Sequence, residues 1–171
     1  ATGILESEKP PLEGRVWYNY PGQDPAKPYI KGDLAEPSVV ARLVENETGT
    51  LVTQAYQYEY NALGNPTKII DPEGRETVIE YAANGIDIRY VKQRVADSGG
   101  QPVYETVSEF IYNSNDPDHR PRKYIDAGGN ETVFSYNSYG QIQTITNELN
   151  EVITFTYETN VNNNGVCAVS M

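Results

Sequence analysis

The chain has 171 residues, a formal net charge of −11, one cysteine and one histidine, and its hydrophobic fraction of 38% suits one domain with a core of its own. That charge repels a phosphate backbone and anionic lipid heads, so nucleic acid is excluded as a partner, and no apolar run approaches the roughly 20 residues that span a bilayer, which excludes membrane insertion by a helix. Fourteen tyrosines stand against three phenylalanines and one tryptophan, an inventory that favours strands whose ring hydroxyls reach a polar partner.

In chain order, Arg15–Tyr20 reads as a strand, Pro21–Pro37 as irregular, and Ser38–Glu45 with Leu51–Tyr60 as a hairpin closed around Asn46-Glu47-Thr48-Gly49. Residues 1–50 are a lead-in or variant repeat, 51–160 a β-repeat region and 161–171 an irregular tail. The start at Ala1-Thr2-Gly3 and the unpatterned end give the expectation of a piece of a longer protein.

The repeat is visible by self-comparison. Ile70–Tyr81 recurs as Ile125–Tyr136, with seven of twelve positions identical. Tyr60-Asn61…Gly64 matches Tyr136-Asn137…Gly140, and Asn147–Tyr157 aligns with Asp71–Tyr81. Tyr60 to Tyr81 and Tyr136 to Tyr157 are both steps of 21 residues, and the step from Tyr112 to Tyr136 is three longer, an excess placed in the Asp- and Pro-rich segment 115–121. Ile86–Val95 and Val103–Tyr112 read as a further hairpin around Asp97-Ser98-Gly99-Gly100.

Within each copy the period is two. Thr77, Ile79 and Tyr81 share a face, as do Thr132, Phe134 and Tyr136, and Ile153, Phe155 and Tyr157; the alternate positions are mixed, as in Glu76, Val78 and Glu80. This predicts a sheet with one packed and one wet side. Gly64, Gly74, Gly85, Gly99, Gly100, Gly128, Gly129 and Gly140 fall between the β-runs, where they close tight turns. The fold class is all-β, an antiparallel meander of tandem β-hairpins.

These residues resemble the RHS or YD-repeat family, whose repeats run tyrosine, Asp or Asn, Gly, a β-run, Asp, Gly, Thr and a final tyrosine. The signature positions are Tyr60, Gly64, Asp71, Gly74, Tyr81, Tyr112, Asp126, Gly129, Tyr136, Gly140, Asn147 and Tyr157, with Trp17-Tyr18-Asn19-Tyr20 a weaker match. The third copy departs from the form with Asn147 for Asp71 and Asn150 for Gly74. The resemblance implies a curved or spiralling sheet, as in shells that enclose toxic C-terminal domains of bacterial toxins or in adhesive cell-surface proteins. It implies a secreted or cell-surface setting and, as partners, neighbouring repeats, further copies of the chain through sheet edges, or an enclosed toxin domain. The family's self-cleaving region, with its Asp-Pro and glycine-rich signature, is not matched.

No constellation points to catalysis, a cofactor or a metal. His119 sits among Asp116, Asp118 and Arg120 and reads as a solvated loop residue; Cys167 has no base near it in sequence. Asn115, Asp116 and Asp118 lack the glycine and final glutamate of a calcium loop. The carboxylate pair Glu76 and Glu80 reads as a solvated face that discourages edge pairing, against a less favoured hydrolase role. Gly99-Gly100 and Gly128-Gly129 precede strands, so no phosphate cradle is expected. The expected function is a non-catalytic scaffold segment, with glycan binding by exposed tyrosines as the alternative.

Overall fold

The computed structural model describes residues 3–11, 13–24, 26–27, 29–30, 32–113, 117–158 and 166–168. The strands are β1 (Ser7–Glu8), β2 (Val16–Asn19), β3 (Val39–Glu45), β4 (Leu51–Tyr60), β5 (Pro66–Ile70), β6 (Glu76–Tyr81), β7 (Ile88–Ser98), β8 (Gln101–Tyr112), β9 (Pro121–Asp126), β10 (Glu131–Tyr136), β11 (Ile142–Thr146), β12 (Val152–Thr154), β13 (Thr156–Glu158) and β14 (Val166–Ala168). β1 to β12 lie in chain order in one antiparallel sheet, and β13 and β14 form a two-stranded sheet. The all-β meander expected from the alternation is the observed fold.

The chain divides into two units, Ala1–Ile86 with Lys92–Glu105 and Asp87–Val91 with Thr106–Met171. In the first, Tyr58, Ile69 and Thr77 lie side by side across three strands on one face, and Glu59, Lys68 and Val78 do so on the other. In the second, Phe110, Tyr124 and Thr132 form the row equivalent to the first of these. The Phe110 and Tyr124 rings are tilted, with centroids 5.3 Å apart.

The expectation of a packed side needs correction. Among the described residues no hydrophobic side chain is buried, and the one buried side chain is Glu76. The chain exposes 12022 Å², against about 8,400 Å² for a compact monomer of its mass. The physical reason is that, within each unit, the described strands pack chiefly against their ladder neighbours, so no second layer covers their faces. Alternation reports which residues share a face; it does not report whether anything lies over that face.

Candidate functional site

The signature residues first build turns. Asn46, Asn61, Asp71, Asp126, Asn137 and Asn147 each open a five-residue turn in which the side-chain Oδ1 accepts the backbone N–H groups two and four residues on, at 2.8 to 3.1 Å. The opening N–H donates to the carbonyl of the fifth residue and the fourth N–H to the opening carbonyl. This closure requires a left-handed fourth residue, supplied by Gly64 at φ 82° and, in the third copy, by Asn150 at φ 62°. An Asx residue followed three positions later by Gly or Asn is therefore the chemical content of half the repeat.

The tyrosines form the other half. Tyr81 Oη donates to the Pro66 carbonyl at 3.0 Å, Tyr136 to Pro121 at 2.7 Å and Tyr157 to Ile142 at 2.6 Å, each reaching 15 residues back to the start of the preceding hairpin. Tyr60 makes the same kind of bond to Pro37 at 2.8 Å. The register shifts at Tyr60, Tyr112 and Tyr136, opposite Pro66, Pro121 and Ile142. Burial pushes the hydroxyls of Tyr60, Tyr81 and Tyr112 above their usual range.

The chief concentration of charge in the first unit surrounds Glu76, 6% exposed. Lys68 Nζ lies 2.7 Å from Glu76 Oε1, Arg94 Nη1 lies 3.4 Å from Oε2, and Tyr104 Oη donates to Oε1. Glu59 lies 3.9 Å from Lys68, and Asp97 lies 2.6 Å from Arg94. Desolvation raises the Glu76 pKa, but the bonds from Lys68 and Tyr104 outweigh it and hold the carboxyl below its usual range. The same bonds raise the Lys68 and Tyr104 pKa values. The arrangement stabilises a permanent carboxylate, which suits cross-strand fastening and not proton transfer. A depression of about 350 Å³ beside it is lined by Asp71, Arg75, Thr77 and Arg94.

The expected solvated face is thus corrected at Glu76. It lies in a strand with neighbours on both sides, and basic residues from those neighbours close over it. Glu80 is exposed and pairs with Lys92 at 2.6 Å. Of the two carboxylates, Glu76 lines the depression. Lys68, Arg94 and Tyr104 were not singled out by sequence, yet a signal exists: Lys68 and Glu76 recur 55 residues on as Lys123 and Glu131, also an ion pair at 2.6 Å.

His119 is in contact with Asp87, its Nδ1 2.9 Å from Oδ1, so it is not simply solvated. With φ at 56° it occupies the left-handed position that Gly64 fills 55 residues earlier. Arg120 lies over the Tyr136 ring at 5.2 Å. Asn115 and Asp116 lie outside the described residues, and Cys167 is placed in β14 by its backbone alone. No group of three or more His, Cys, Asp or Glu side chains able to hold a metal occurs among the described residues. Gly99 and Gly100 close the β7–β8 hairpin, and Gly128 and Gly129 lie in the β9–β10 turn. No described helix is long and apolar enough to cross a membrane.

No protein-family model matches the chain, and no curated protein does. Among solved structures, a chain of the crystal structure of TcdB2-TccC3-Cdc42 aligns with a TM-score of 0.60 and 11% identity over 90% of this chain. A chain of the Photorhabdus luminescens Tc holotoxin pore aligns with a TM-score of 0.58 and 12% identity over 86% of this chain. The chain spans 7% of the length of each. The fold is RHS/YD-repeat-like.

Proposed function

We propose that the chain is a non-catalytic scaffold segment, one stretch of a longer RHS/YD-repeat sheet. The observation that carries this reading is that the signature side chains go into turns and hairpin clamps, and the best-placed carboxylate into cross-strand ion pairs. The sheet ends in the very short strands β1 and β12, whose outer backbone groups suit continuation into neighbouring repeats. The fold likeness to a chain of the Tc holotoxin pore supports a toxin-associated, secreted or cell-surface setting, with an enclosed toxin domain as a further partner. The test compares the parent chain with Glu76→Gln and Glu80→Gln on a panel of glycoside and ester substrates. Equal background rates are expected; turnover that is lost in either variant overturns the reading.

A second reading, glycan binding, is favoured by Trp17. This residue is 39% exposed and lines a groove of about 430 Å³ with Glu6, Tyr18, Asn19, Tyr20 and Gln23. An aromatic platform beside amide groups and a carboxylate, all able to bond sugar hydroxyls, suits a neutral sugar ring. Trp17 is the sole tryptophan, so intrinsic fluorescence reports on the groove directly, and an emission spectrum unmoved by neutral oligosaccharides ends this reading.

A further inference from the structure

Within the first unit, β4 and β7 run farther than the two strands between them. β3 follows β4 back to Leu51, whereas β5 pairs only with Gln57–Tyr60. Tyr58 N–H donates to the Ser38 carbonyl on the β3 side, and Asn61 N–H to Asn65 on the β5 side. Alternation therefore aims the backbone N–H and C=O of Leu51, Thr53 and Ala55 to the side on which β5 has already ended. On the opposite flank Arg94 meets Glu76, the first residue of β6, and β7 continues to Ser98.

The β5–β6 turn, with Asp71 and Arg75, forms the floor between these flanks, and the depression of about 350 Å³ lies in its corner against Arg94. The sheet is thus notched. From β4 to β7 is three inter-strand steps, about 14 Å, which is the room that two further strands take up.

The β7–β8 hairpin that bounds this notch is itself two strands wide, and β9 pairs only with Ser108–Tyr112 of β8. Gln101–Glu105 therefore has β7 on one side and no strand on the other among the described residues. A two-stranded ribbon is marginal in water without flanking strands, and Val95 and Val103 on this arm are exposed.

We propose that the notch receives the β7–β8 arm of a second copy of this chain. A two-fold axis perpendicular to the sheet gives the order β4, the second copy's β8, the second copy's β7, β7, β8, the second copy's β4. Every neighbouring pair in that order is antiparallel, because β4 and β8 run in one direction within a copy and the rotation reverses it. The interlock fills both notches and supplies both arms with flanking strands, so the free backbone groups of Leu51, Thr53 and Ala55 gain ladder partners. The interlock would bring Asp97 at the arm's end, paired with its own Arg94, against Arg75 of the floor, which is paired with its own Asp71 and Glu73 and whose side chain is still 74% exposed, so each gains a partner across the copies. Gly99 and Gly100 at the apex have no side chain to hold the tip off the floor.

The test is light scattering after size exclusion on the 171-residue chain across a dilution series. The expected species has twice the 19.1 kDa chain mass. Thr53→Pro and Ala55→Pro remove donors only on the notch side, where proline is tolerated, and each is expected to give a monomer with an unchanged far-ultraviolet spectrum. As a check independent of proline, Arg75→Glu and Asp97→Lys each weaken association about tenfold and together restore it. A parent chain that stays monomeric, a dimer that persists in folded proline variants, or a charge-reversal pair without mutual rescue overturns the proposal. Association through β1 or β12 instead would appear as a dimer indifferent to all four changes. None of these outcomes bears on the scaffold reading, which is decided by turnover.

Discussion

Tyr136 and Pro121 are joined by a hydroxyl-to-carbonyl hydrogen bond of 2.7 Å that reproduces, 55 residues later, the Tyr81 bond to Pro66. The bond ties the last residue of one strand to the first residue of its hairpin partner. Removing it while keeping the ring isolates its contribution. Tyr81→Phe and Tyr136→Phe are each expected to lower stability by about 1 kcal/mol, measured by urea denaturation, with an unchanged slope against denaturant. A loss in Tyr81→Phe no larger than in Tyr139→Phe, whose ring is 83% exposed, would show that the clamp contributes nothing.

The left-handed fourth position of the turn sets a second expectation. A Cβ at Gly74 meets nothing within 4 Å, so Gly74→Ala tests backbone conformation without a clash. Its cost should be about 1 kcal/mol. Asn150→Gly should change stability in the opposite direction, by a few tenths of a kcal/mol. Thermal midpoints of the two variants moving the same way would contradict the shared geometry.

Acid should loosen the turns opened by aspartate. In Asp126 the Asn130 side chain, then backbone N–H groups, hold the carboxyl below its usual range; in Asp71 desolvation opposes but does not cancel the bonds from Arg75 and Glu73. A depressed folded-state pKa contributes stability that is present above the unfolded-state value and is lost as pH falls through the folded one. The loss therefore falls below the ordinary carboxylate range. Asp71→Asn and Asp126→Asn should flatten this acid limb yet retain the turn, since Asn61 and Asn137 build it with an amide oxygen. Stability followed by tyrosine fluorescence against pH checks it.

At Glu76 the partners decide the magnitude. Glu76→Ala leaves Lys68 and Arg94 facing each other, both partly exposed and hence screened, so the expected loss is about 1–2 kcal/mol and not the larger value of a fully buried pair. Glu131→Ala, in the more exposed equivalent pair with Lys123, should cost less than half as much. Denaturation of the two variants side by side gives the ratio.

Much of this architecture is legible in the sequence because its determinants are local. Asp71 and Gly74 lie three residues apart, so the turn that they build is written in adjacent letters, and the 21-residue tyrosine step follows from one hairpin per copy. The Glu76 site is less legible: Lys68, Arg94 and Tyr104 reach it from three other strands, at separations that depend on hairpin length. His119 is hidden for a related reason, since Asp87 is 32 residues away and the left-handed backbone at a histidine has no compositional mark. The unequal reach of β4 and β5 is also silent, because an alternating run looks the same whether one neighbour or two accompany it.

The scarcity of buried apolar side chains also has a calorimetric consequence. Unfolding exposes less new hydrocarbon than is usual for a chain of this length, so the heat-capacity increment per residue should lie below that of ordinary globular domains. Enthalpy and entropy of unfolding then vary little with temperature, so stability changes almost linearly with temperature and cold brings little weakening.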